Sequence, residues 1–158
     1  MTGRGFTLIE LMIVLAIVAI LMLLAIPSQL PRVGRNQIVD AFELTEQLKP
    51  AIKSFYDSRG YFPIDNKTAG LPEPRYLIHS YVKQVIIDDG VINIEFGNKV
   101  TEPLKGKILS IRPLVVKGSP ESPMSWLCGV AAAPEGMEVR GQNRTTVVRQ
   151  MLPLKCRV

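Results

Sequence analysis

From Leu11 to Ile26 no side chain is polar or charged. Extended back to Phe6, the run is 21 residues, broken only by Thr7 and Glu10. A helix crosses the hydrocarbon core of a bilayer with about 20 such residues. A secretory signal has a shorter apolar core, with a small-residue cleavage site after it. Here the run leaves through Ala25-Ile26-Pro27-Ser28-Gln29, which carries no such site, and only Met1-Thr2-Gly3-Arg4-Gly5 precedes it. The segment therefore reads as a retained membrane helix. Glu10 is its anomaly, because a carboxylate inside an apolar helix costs about 2.5–3.5 kcal/mol at the bilayer centre and less near the end. Either Glu10 reaches the interface or it has a cationic partner, and the run holds no basic residue. A cut after Gly5 would give Phe6 a new α-amine. Positions 6 and 10 share a helix face, so the amine pairing with Glu10 could be its own or that of another copy.

Gly5-Phe6-Thr7-Leu8-Ile9-Glu10-Leu11, opening an apolar helix after a short basic leader, closely resembles the class III signal of type IV pilins and their relatives. The resemblance implies that a prepilin peptidase cuts between Gly5 and Phe6. It also implies that Phe6 is N-methylated and that Glu10 sets the register of a helical polymer. Ala25-Ile26-Pro27 matches the proline usual in the family, whereas Ala19 stands where many members have Gly. The implied life history is a single-pass inner-membrane protein, handled by a pilus assembly machinery and polymerised into an extracellular fimbrium. Adhesion to host or abiotic surfaces, twitching motility and DNA uptake are the outputs such fibres have.

The chain divides into a leader (1–5), a hydrophobic transmembrane and filament-core helix (6–35) and a globular head (36–158). Residues 6–58 read as one long helix in two halves, interrupted by Pro27, Pro31 and Pro50. Gly34 adds looseness, so that a break is expected near Pro31 and Gly34. Ile38, Phe42, Thr45, Leu48, Ile52 and Phe55 recur every three or four residues, an apolar stripe that needs a sheet to cover. Gly60 ends the helix as its C-cap residue, and Gly60-Tyr61-Phe62-Pro63 resembles the family's motif at this point. A loop with one helical turn near Arg75–Ser80 follows. Val82–Ile87 and Val91–Phe96 flank Asp88-Asp89-Gly90, a hairpin signal. Lys107–Val116, with Pro113 marking a bulge or an edge, and Ser125–Val130 complete four strands. Val147–Met151 is a candidate short addition. The expected fold is α+β: a long N-terminal helix packed on a four-stranded antiparallel sheet, with a disulfide-closed C-terminal loop.

That closure rests on Cys128 and Cys156, the only two cysteines. An even count in a chain addressed across a membrane implies one disulfide, and in the resembled family such a pair bounds the C-terminal loop. Their spacing fits no zinc pattern. After residue 58 there are 14 Lys and Arg against 9 Asp and Glu, a surplus of five. No acid follows Glu138, while Arg140, Arg144, Arg149, Lys155 and Arg157 do. These five are either a solvated surface or a polyanion-binding patch.

No catalytic constellation, phosphate loop, metal site or cofactor motif is present in the sequence. His79 reads as a surface residue, Asp88-Asp89 as a turn pair and Trp126 as core. Asn66-Lys67-Thr68 and Asn143-Arg144-Thr145 fit the N-glycosylation pattern. The reading is a structural subunit, a major pilin first. The alternatives are a DNA-binding minor pilin, with Trp126 as a stacking face, and a type II secretion pseudopilin, which the cysteine pair argues against.

Overall fold

The computed structural model describes residues 6–25, 30–119 and 121–158. The leader, the cleavage residue Gly5 and the proline expected to kink the chain at 27 lie outside the described residues. Two helices are described, α1 (Leu8–Ala25) and α2 (Leu30–Arg59). α2 runs without interruption through Pro31 and Gly34, so the break expected there is absent. Pro31 is the second described residue of the helix. Gly34 serves a close approach instead. A Cβ built on it would lie 2.2 Å from Met151 Cε, so only hydrogen leaves room for that methyl group.

The predicted stripe is the buried face of α2. Ile38, Ala41, Phe42, Thr45, Leu48 and Ile52 are all buried, while Asp40, Glu43, Glu46 and Gln47 are exposed. The buried Thr45 hydroxyl donates to Phe42 O at 2.8 Å, which spares it an unpaired polar group in the core. Phe55, at the end of the stripe, is half-buried and meets Tyr61 edge to face, with ring centroids 5.4 Å apart. Gly60 closes the helix with φ +75°, its N–H donating to Tyr56 O at 2.8 Å.

β1 (Val82–Asp88), β2 (Val91–Phe96), β3 (Ile108–Val116) and β4 (Ser125–Cys128) form an antiparallel sheet in that order. Asp88 pairs with Val91, leaving Asp89-Gly90 as a two-residue turn with φ +50° and +76°. Both angles positive is the primed turn that matches strand twist. Gly90 is also pressed onto the Phe62 ring, where a Cβ would come within 2.5 Å. Period-two alternation puts Val85, Ile87, Ile92, Ile94, Leu109 and Ile111 on one face, and this face joins α2 in the main core.

A fifth strand, β5 (Met137–Val139), pairs with β3 through Leu114, Val115 and Val116. The added strand was expected at Val147–Met151, which is a turn instead. There the hydroxyls of Thr145 and Thr146 accept from Ser110 N (3.1 Å) and Ile108 N (2.8 Å). Side-chain oxygens thus take the place of a strand's carbonyls. Pro113 sits inside β3, opposite Trp126 of β4. Its carbonyl accepts from Arg140 N at 3.0 Å, so its missing N–H faces the edge where β2 pairing has ended at Ile111 and β5 pairing begins at Leu114. The gap between two partner strands is where a proline costs no ladder bond. The expected one-turn helix is a 3-10 turn slightly earlier, Pro74–Tyr76.

Candidate assembly segment and head surfaces

Apart from Glu10, α1 is apolar on every side, and nothing among the described residues covers it. From Phe6 to Leu23 its large side chains are 40–81% exposed. A helix of this kind belongs in lipid or among other helices. Among the described residues no helix is by itself long and apolar enough to cross a membrane. α1 has 18 residues, about 27 Å at 1.5 Å each against a core of about 30 Å.

Glu10 is engaged at the start of this helix. Its Oε2 accepts from Thr7 N (3.0 Å) and Thr7 Oγ1 (3.1 Å), while Glu10 N donates to Thr7 Oγ1 at 3.3 Å. This is the reciprocal capping box, Thr before the first turn and Glu three residues on. Thr7 was not singled out in the sequence, although Thr-x-x-Glu ahead of an apolar run is the box's signature. The carboxylate is thereby folded back toward the end of the helix, one residue from the Phe6 nitrogen.

In the head, Cys128 and Cys156 form the expected disulfide, with Cα atoms 4.5 Å apart. Both are buried, and the loop that they close is pinned to the core by Val147, Met151 and Leu152. The five basic residues do not make one patch. Arg144 pairs with Asp88 (2.5 Å) and Arg140 with Glu138 (3.1 Å). Lys155 Nζ lies 3.9 Å from the Phe42 ring centroid, and Arg149 donates to Arg157 O at 3.0 Å. Two residues are thus ion-paired beside the hairpin and β5, while Lys155 lies against α2 and Arg149 meets Arg157. Trp126 is half-buried against the core. His79 is exposed.

Asn66 has a role that its glycosylation pattern conceals. It is 4% exposed, and it accepts from Ile87 N at 2.8 Å while donating to Val85 O at 3.0 Å and Pro72 O at 3.2 Å. The loop after α2 is thereby clipped to the outer edge of β1. Asn143 likewise donates to Gly129 O at 2.8 Å.

An apolar helix that needs lipid or other helices to cover it is joined to an α+β head with a buried disulfide, the architecture of an anchored or assembled subunit. Comparison with known proteins agrees. Residues 34–157 match the family described as pilin, a bacterial filament protein, and residues 2–26 match the prokaryotic N-terminal methylation motif. The type IV major pilin protein PilE1 of Neisseria gonorrhoeae is 35% identical, over 98% of this chain and 87% of the relative. The fimbrial protein of Neisseria meningitidis serogroup B is 33% identical over 98% and 94%, and the fimbrial protein EcpC of Eikenella corrodens 33% over 90% and 93%. The chain belongs to the pilin family and is a structural subunit of a type IV pilus.

Proposed function

We propose that this chain is the major subunit of its filament. Its leader is removed between Gly5 and Phe6, and Phe6 is methylated. The mature protein waits in the inner membrane and is passed by the assembly machinery into a fibre that serves adhesion and twitching motility. The observation that carries this reading is the exposure of α1 on all sides. Lipid covers that surface before assembly, and other copies of α1 cover it afterwards. Head-to-tail contacts that do not close generate a fibre from one kind of subunit.

Glu10 sets the register. Cleavage creates a Phe6 amine next to the Thr7 N–H that already holds the carboxylate, so the cation appears where the anion is positioned. A neighbour's amine reaches Glu10 in one register only, and an ion pair in an apolar core rewards that register over the others. The DNA-binding and secretion-system readings gain no support. Two of the five basic residues are neutralised by local acids, and the relatives described above are named as pilins and fimbrial proteins. The test is to shear surface filaments, identify their main band by mass spectrometry and sequence its first peptide. A methylated Phe6 terminus on the dominant band is expected. A mature chain that keeps Arg4, or a chain present only in traces, would overturn the proposal.

A further inference from the structure

The end of the head where α2 begins carries a cationic surface that the assembly reading does not use. Arg32 and Arg35 lie in the first two turns of α2. Arg35 donates to Gln150 O at 2.9 Å, and Met151 seats on Gly34; these contacts bring the 148–152 turn, with Arg149, alongside. Leu104 also touches Gly34, which brings up Lys105. The acid at this end is Glu102, already paired with Lys105 at 3.2 Å, while Arg149 donates to the backbone carbonyl of Arg157. Arg32, Arg35 and Arg149 have no carboxylate partner among the described residues. Exposed valines stand among them, Val33 at 45% and Val148 at 52%.

The position of this surface selects its partner. Leu30 follows Ala25 by five residues, at most about 18 Å of chain. When α1 is in a bilayer, the start of α2 therefore lies at or just above the headgroup layer, which is about 6 Å deep on each side. Guanidinium groups interleaved with small apolar side chains suit that layer. We propose that this end of the head docks on anionic phospholipid headgroups, fixing the tilt of the waiting subunit before assembly. The proposal rests on the reading that α1 lies in the inner membrane.

The test uses the processed full chain in nanodiscs of phosphatidylcholine alone or mixed equally with phosphatidylglycerol. Amide hydrogen exchange is followed over residues 30–37 and 147–152, with the 88–91 turn as an internal control. Exchange at the two segments should be slower in the anionic discs, by about fivefold for each basic residue engaged. High salt should abolish the difference, and the double variant Arg32→Gln with Arg149→Gln should shrink it to what Arg35 alone supplies, about fivefold, while the turn stays unchanged. Equal exchange in both lipids by a correctly incorporated chain would overturn the docking proposal and leave the pilin reading standing. Failure of the chain to enter either disc would overturn the membrane reading and the docking with it. Should the double variant misfold, the two-lipid comparison on the unaltered chain decides alone.

Discussion

In the single chain the Glu10 carboxylate caps its own helix through Thr7; on the register proposal it also receives a neighbour's amine in the fibre. Glu10→Leu should insert into the membrane as well as the parent or better, since Leu is favoured there. It should give fewer filaments, or filaments of mixed register, and Glu10→Gln should fall between. Filament counts at matched membrane level and matched leader removal check this; ordered filaments at parental numbers from Glu10→Leu would remove its register role. A charge in an apolar run announces itself, so the sequence draws attention to Glu10, but not to the Thr7 capping contacts that hold it. Asn66 was not legible there, because nothing local says that its amide meets a strand twenty residues later. Asn66→Ala strands the Ile87 N–H and should cost the head about 1–3 kcal/mol, read by chemical unfolding. At Glu95, hydrogen bonds from Lys83 and then Gln84 hold the carboxyl below the usual range. A lowered folded value gives stability that is complete above the unfolded value, about 4.3, and is lost as pH falls through the folded one. Glu95→Gln should therefore lower the melting temperature at neutral pH and flatten its decline in acid.

Among the elements, those that carry their own periodicity were readable. The α2 stripe and the β1–β2 hairpin follow from spacing alone, whereas the disulfide was legible only from the count of two cysteines in a chain addressed across a membrane. What spacing could not supply was pairing decided at a distance. β5 is only three residues long and exists because β3 extends beyond β2 and leaves an edge to fill. Val147–Met151 looks like a strand in composition, yet threonine hydroxyls already occupy the β3 groups it would have bonded. The same non-local logic applies to the disulfide, which spans a sequence separation of 28. On the chain-entropy account such a closure stabilises by about 3.5 kcal/mol, although an enthalpic account also exists. Cys128→Ser should lower the melting temperature of the head. It should also speed amide exchange across 129–155, least at the buried anchors Met151 and Leu152. Unchanged exchange would mean that those anchors hold the loop unaided.

The molecule as a whole is a sticky rod attached to a head that must not be sticky in the wrong way. In a fibre each head sits among copies at a local concentration far above any reached in solution. The outer edge of β1 would then be a template on which neighbouring sheets could zip together. Asn66 occupies two of its backbone groups, Val85 O and Ile87 N, with a side chain of the same subunit. With those groups taken, the β1 edge offers neighbouring heads less to zip onto, which on the proposed reading favours growth through α1 along one axis over lateral spreading of sheets.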